Sequence, residues 1–291
     1  KRSLPVSILG QAAGVGLILA GLIIPAVTAK WGWRANFQLL GVIGLAWLLL
    51  WLPLGREGAL EDANNDLTSR RASYGTLFSD KTLLACIFGH FASYWSLALT
   101  LTWMAVYLQK GLGYGALESG RMFSLFVAVN LVFGLGAAWW SQRLMQKRVS
   151  SRTARGVLTG VVTLIAAACY ASMLLPGLTP LMRVLILGVG AGFSQTIYYT
   201  GPAMIGEIVP KPQRASILAI DNSVASIAGI IAAVVAGSRV QNVQGSAAAG
   251  YELGFAVTGA FLAVAGLVGW AFLRPASSAT RNLGATTAYA R

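Results

Sequence analysis

The sequence predicts an all-α membrane protein with eight transmembrane helices, and three observations predict it. First, 56% of the 291 residues are hydrophobic and only 11% are charged, with a mean hydropathy of +0.67. An ordinary soluble domain carries roughly 25% charged residues. Second, the charges bound long uncharged runs at 3–29, 35–55, 82–109, 122–142, 156–182, 184–206, 215–238 and 253–273, the seventh interrupted by Asp221 alone. Each run holds the roughly 20 residues that cross a bilayer as a helix. A buried soluble helix imitates one or two such runs, not eight in succession. Third, if residue 1 is cytoplasmic, alternation across the membrane places 16 of the 22 basic residues on the cytoplasmic side. The other side keeps Lys30, Arg34, Lys110, Arg121, Arg183 and Arg239. This is the positive-inside bias of membrane proteins. It accounts for the net charge of +13 and the pI of about 10.3 without a nucleic-acid partner.

The elements follow in order. Two apolar runs fill residues 1–54 and turn at Gly32–Arg34. Next comes the one long polar segment, GREGALEDANNDLTSRRASYGTLFSDK at 55–81, which holds five of the nine acids and reads as a solvated cytoplasmic linker. Six runs follow over 82–273. GLGYGALES and PGLTP read as outer turns, and SQRLMQKRVSSRTAR and GEIVPKPQR as basic cytoplasmic loops. The tail at 274–291, RPASSATRNLGATTAYAR, is small and polar, and disorder is expected there. Most of the 34 glycines fall in the apolar runs, as close helix packing in lipid requires. No run has the form of a signal peptide. The chain opens on Lys1 rather than Met, so its genuine N-terminus is expected to be absent. Cys86 and Cys169 lie in apolar runs and read as packing residues rather than a disulfide.

Polar side chains within the runs mark interior surfaces. At 100° per residue, Asn222, Ser226, Gly229 and Ala233 fall opposite the bulky stripe Ile220, Val224, Ile227, Ile231 and Val235. Asn222 is therefore expected to point into the bundle as a substrate-cavity amide, or else to make an interhelical hydrogen bond. Asp221 falls on the flank. It is expected near cytoplasmic water, paired with Lys211 or Arg214; a proton-coupling role is the alternative, since an intramembrane acid is a functional candidate by default. In the run at 82–109, Ser93, Ser96, Thr100, Trp103 and Tyr107 repeat at helical spacing, with His90 and Tyr94 bordering the stripe. Gln195 and Tyr199 share a face with Gly188 and Gly192, and Tyr198 lies nearby. Either they contact substrate or the aromatics simply pack. Gly201–Pro202 is expected to kink this helix. Gln11 faces the same way as Gly14, Gly21 and Pro25.

Other chemistries lack their residues. One His with two remote Cys gives no metal site, and no cofactor is expected. No GxxxxGK[ST] loop is present, so an ion gradient is the expected energy source. No Lys or Arg lies in the middle of a run. A bound anion needs a cation, supplied here by His90 or from outside these helices.

Several stretches carry a family resemblance. GQAAGVGLILAGLIIPAVTAKWGWRANFQLLGVIGLAWLLLWLPL, FGHFASYWSLALTLTWMAVYLQKGLGY, EIVPKPQRASILAIDNSVAS and GYELGF, in this order and spacing, resemble helices five and six, helix seven, the tenth-to-eleventh turn and the last helix of the anion:cation symporter family of the major facilitator superfamily. The resemblance covers about residues 5–275. It implies the last eight of twelve helices, the first four missing. Residues 1–54 would be the last two helices of the N-terminal bundle, 82–273 the six-helix C-terminal bundle and 274–291 a cytoplasmic tail. It further implies substrate contact by Asn222 and Gln11, and a polar residue at His90. The family's usual coupling acids and substrate-binding Arg would lie in the preceding helices. One departure is Gln142, which stands in WWSQRLMQKR where the superfamily usually has an Asp, so the interdomain ion pair usual there is not implied.

The expected function is secondary active transport by alternating access, as organic-anion or sugar-acid:proton symport. The expected setting is a bacterial plasma membrane, multi-pass and monomeric, with a small anionic substrate, a proton or other coupling ion and the lipid bilayer as partners. The rivals are a non-transporting receptor or scaffold with this fold, and a polytopic membrane enzyme. The enzyme would need a catalytic cluster near one interface, and the sequence has none.

Overall fold

The computed structural model describes residues 3–55, 71–242 and 247–288, without the side chains of 3–12, 239, 241–242, 247 and 283–288. The greater part of the linker at 55–81 thus lies outside the described residues. Eleven α-helices occur among those described: α1 Ser3–Trp31, α2 Trp33–Leu54, α3 Tyr74–Phe78, α4 Lys81–Val106, α5 Ala116–Gln146, α6 Leu158–Ala171, α7 Pro180–Ser194, α8 Ile197–Ile208, α9 Arg214–Asn242, α10 Ala247–Phe272 and α11 Pro275–Ala288. They build eight stretches long and apolar enough to cross a membrane, the third to eighth being Lys81–Gly111, Ala116–Gln146, Arg152–Leu174, Pro180–Ile208, Lys211–Ser238 and Ala248–Phe272. Each coincides with one of the uncharged runs.

α4 is the axis of the bundle. Ala92, Trp95, Ser96 and Leu99, at helical spacing on one face of it, are all buried, while Leu84 and Leu101 are exposed. It packs on α9 and α10, and α10 lies along α6. Trp95 stacks on Phe261 of α10 at 4.6 Å, while Tyr107 and Tyr170 close on Phe255 at 5.1 and 6.2 Å. Small residues let the backbones approach, the usual device where lipid offers no hydrophobic driving force. At the α5–α7 crossing, a Cβ added to Gly192 would lie 2.5 Å from the Asn130 carbonyl oxygen. α1 meets α5 in the same way: a Cβ on Gly120 would lie 2.3 Å from the Gly21 oxygen, and Ser124 donates to the Ile18 carbonyl at 2.8 Å. α2 packs on α1, and Asn36 near its start donates to Thr28 at 2.7 Å. Its outward Trp47, Leu49, Trp51 and Leu52 are exposed.

The two ends of the six-helix unit are tied differently. At the basic end, Arg155 and Ser151 converge on Glu207 of α8, and Gln213 exchanges two hydrogen bonds with the backbone of Ala72. At the other end, Arg183 of α7 pairs with Glu252 of α10 at 2.5 Å and donates to the Met173 carbonyl at 3.1 Å.

Two expectations are corrected. The tail is not disordered over its described part: α11 is helical and docks on the basic end. Asp80 caps α4, accepting from the N–H groups of Thr82 and Leu83 at 2.8 and 3.2 Å. The same carboxylate accepts from Ser278 at 2.9 Å, Asn282 at 3.2 Å and Arg281. Ser278 and Asn282 are four residues apart, so one face of α11 meets one buried acid. The interruption of the 184–206 run is also not at Gly201–Pro202. It falls at Gln195–Thr196, between α7 and α8. There Thr196, Tyr198 and Tyr199 each donate to the carbonyl three residues back, a tighter turn than the α-helix.

Candidate functional site

A cluster of polar groups lies between α4, α8 and α9. His90 follows Lys81 by nine residues and Asp221 follows Arg214 by seven, roughly 13 and 10 Å into the membrane at about 1.5 Å per residue. Their side chains meet at 2.8 Å, His90 Nδ1 on Asp221 Oδ2, with the residues 6% and 3% exposed. Tyr198 sets its ring edge-to-face on the imidazole at 4.7 Å, and Tyr94, one turn beyond His90, lies at 6.4 Å. Three buried atoms of this cluster have no partner: His90 Nε2, Asp221 Oδ1 and Tyr198 Oη. A buried polar group left unpaired costs roughly 1–3 kcal/mol, and three such atoms fall within this one cluster.

The surroundings of Asp221 and Asn222 reverse the sequence expectation. Asp221 is buried on His90 rather than lying near water at the flank. Asn222 is exposed, and its amide returns to the Leu218 carbonyl of its own helix at 3.1 Å. The packing face of α9 is its small-residue stripe, Asp221, Ala225, Ala228, Ala232 and Ala236, all buried. Ile227 and Ser226 both face away from it. Polarity was the wrong guide to the interior of this helix; side-chain size was the right one.

The serine–threonine stripe of α4 does face inward, into a knot of hydrogen bonds. Ser96 shares a bond with the Tyr170 hydroxyl of α6 at 2.6 Å and accepts from Ser194 of α7 at 3.2 Å. Thr100 donates to the Ser96 carbonyl at 3.1 Å. Ser93 donates to the Ser194 carbonyl at 2.5 Å, taking up an acceptor beside the α7–α8 interruption. Gln195 sits in that interruption and is half-buried, as is Tyr199 one turn further on. Ser96 and Thr100 are thus sealed in the knot, whereas Asn222 is exposed on another face of α9. The side chain of Gln11, in α1, lies outside the described residues.

Tyr170 and Ser194 were missed in the sequence. A tyrosine in the otherwise apolar GVVTLIAAACYAS was the available signal, since a buried tyrosine needs a partner for its hydroxyl. Asp80 was read as linker, although Ser-Asp-Lys-Thr before an apolar run is a helix-start signature.

Comparison with known proteins places this arrangement. Residues 1–200 match the family model described as Major Facilitator Superfamily. The chain belongs to the Major Facilitator Superfamily. Within it, the chain is 24% identical to the chloroplastic ascorbate transporter of Arabidopsis thaliana over 259 residues, covering 83% of this chain and 47% of that protein. It is 24% identical to the hexuronate transporter of Bacillus subtilis over 290 residues, covering 94% and 64%. It is 22% identical to a probable galactarate/D-glucarate transporter of Escherichia coli over 270 residues, covering 84% and 60%. The chain thus spans about half to two thirds of the length of these relatives. A solved structure of a bacterial homologue of the human lysosomal transporter Spinster, inward-facing and unoccupied, superposes with a TM-score of 0.66 at 16% identity, covering 94% of this chain and 71% of that one. That likeness is one of fold. The superfamily match and the eight apolar stretches together make this a multi-pass membrane protein.

Proposed function

We propose that the full-length protein is a secondary active transporter that carries a small organic anion of the sugar-acid class together with protons, by alternating access. One relative is named a sodium-dependent phosphate transport protein, and the observation that carries the reading is that three others, from distant organisms, are named for related acids. Their names specify ascorbate, hexuronate and galactarate or D-glucarate, all polyhydroxylated acids or their lactone. The basic end would face the cytoplasm of a bacterium, following the placement of Lys and Arg. In this reading residues 1–54 end one bundle, 82–273 form the other, and the close α1–α5 crossing is a seam along which the two rock. Substrate would be met by Gln11, His90, Tyr94, Gln195, Tyr198, Tyr199 and Asn222, with Ser96 and Thr100 holding α4 in place behind them. A polyol acid suits such a surface: hydroxyls for amides and phenols, and a carboxylate for a cation.

The test is uptake by the full-length protein in proteoliposomes, with labelled glucuronate, glucarate, ascorbate and, as a neutral control, glucose. Accumulation of at least one acid under an inward proton gradient, abolished by a protonophore and absent for glucose, is expected. Binding of the acids without uptake would indicate a receptor instead. Transport insensitive to the proton gradient would end the proton part of the reading.

A further inference from the structure

We propose that His90 and Asp221 form a proton-gated anion subsite, in which protonation of Asp221 frees the His90 imidazolium to bind the carboxylate of the substrate. The proposal rests on the reading above that an anion travels with a proton. It assigns both events to one pair of side chains.

The argument begins with charge. His90 is the single histidine of the sequence. The cations recorded in ion pairs nearest the membrane are engaged at the ends of the bundle, Arg155 on Glu207 and Arg183 on Glu252. His90 is thus the available cation well inside a span, but Asp221 at 2.8 Å cancels its charge. While the pair shares one proton it is net neutral and offers an anion nothing. One further proton, taken from water by the carboxylate of Asp221 at its unpartnered Oδ1, makes the pair a carboxylic acid beside an imidazolium, of net charge +1. The imidazolium Nε2–H, which has no partner in the structure, then donates to an entering carboxylate. Pair and monoanion together are neutral, which is the state a low-dielectric interior favours. Release of the anion restores the repulsion between imidazolium and added proton, and the proton leaves. One proton and one anion are bound, and both are given up.

Among the described residues no competing cation is recorded against the pair. The titratable groups that face the pair among the described residues are Cys86 and Tyr94 of α4 and Tyr198 of α8. Cys86 and Tyr198 interact electrostatically with Asp221, and Tyr94 with Tyr198. α10, packed against both α4 and α9, carries its Glu252 at the opposite end of the bundle, on Arg183. α5 carries Arg143 at the basic end, over Trp139. Tyr198 covers the imidazole and keeps its own buried hydroxyl without a partner, so an entering carboxylate would find a second donor in the same cluster. Tyr198 also lies just past the α7–α8 interruption, where the span is least held by its own backbone ladder.

Binding linkage makes this testable: if the proton raises anion affinity by some factor, the anion must raise proton affinity by the same factor. The experiment uses full-length protein in liposomes, infrared difference spectra on acidification, and binding of labelled glucuronate across the same pH range. The wild type is expected to show a protonated-carboxyl band that appears as the pH is lowered. Glucuronate affinity should rise at least about tenfold over the same fall in pH, and glucuronate should raise the band midpoint by the logarithm of that factor. Asp221→Asn should erase the band and move the pH midpoint of binding by at least about one unit. His90→Gln should weaken binding at least about tenfold at the acidic end. Should Asp221→Asn fail to fold, Asp221→Glu serves, expected to shift the band while keeping the gating. A midpoint of binding unmoved in both variants overturns the proposal. Failure of the wild type to bind glucuronate sinks only the sugar-acid reading. The infrared arm then decides for the pair: a band lost in Asp221→Asn keeps it, and no band overturns it.

Discussion

His90 Nδ1 and Asp221 Oδ2 meet at 2.8 Å inside the bundle, each residue keeping a second polar atom without a partner. Removing one member leaves the other buried and uncompensated, which costs about 3–5 kcal/mol, whereas replacing both by apolar groups is often neutral. His90→Leu and Asp221→Leu are therefore each expected to lower thermal stability in detergent. The double variant should lose much less than the sum, as a double-mutant cycle on unfolding midpoints would measure. Additive losses would mean that the pair is not an energetic unit.

Asp80 should make the docking of α11 sensitive to acid. Burial pushes its carboxyl up, but Arg281, Ser278 and the N–H groups of Leu83 and Thr82 together outweigh that and hold it below the ordinary carboxylate range. A carboxyl lowered by folding contributes stability that is fully present above its unfolded value, about 3.9, and lost as pH falls through the folded one. A spin label at the exposed Thr280 is expected to stay immobile at neutral pH and loosen only below about pH 4. In Asp80→Asn it should be loose throughout. Arg281→Ala should matter less, by under about 1 kcal/mol, because its side chain is 58% exposed and screened.

The glycine crossings should be position-specific. At Gly192 an added methyl meets a backbone oxygen at 2.5 Å, and at Gly136 it meets nothing within 4 Å. Gly192→Ala is expected to destabilise by about 1–3 kcal/mol through overpacking. Gly136→Ala should stabilise by up to about 1 kcal/mol through helix propensity. Unfolding midpoints of the two variants decide it.

Sidedness is open to direct chemical test. Lys110 ends the first span of the six-helix unit and Lys147 ends the second, so cysteines placed at the two positions should react with a membrane-impermeant thiol reagent from opposite faces of sealed vesicles. Reaction of both from one face would overturn the topology.

The eight spans were legible because lipid tolerates few charges, and the distances between charges are written in the sequence. The register of α9 was not. Adjacent residues sit 100° apart, so the choice between Asp221 and Asn222 turned on which face was taken as interior. The amide and hydroxyls drew the eye, while the true packing face was marked by Ala225, Ala228 and Ala232. The partner that fixes it, His90, lies 131 residues away. The α7–α8 interruption was foreseen from Pro202 but put too late in the chain, because its freed carbonyl at Ser194 is taken up by Ser93 from another helix. α11 gave no signal at all. Three of its polar groups meet one distant acid, Asn282 also donates to the Ile208 carbonyl, and Ala279 packs on the neighbouring apolar cluster.

That acid also sets an order of events. Asp80 precedes Ser278, Arg281 and Asn282 by 198, 201 and 202 residues. At synthesis rates of about 5–20 residues per second, it waits roughly 10–40 s for them. During that interval it can cap only its own helix, and all six spans after it are synthesised before its remaining partners exist. The last contact to form at this end therefore joins the beginning of the unit to its end. A nascent chain stopped short of Ser278 would hold every span and still carry an acid at the membrane edge with three of its partners missing.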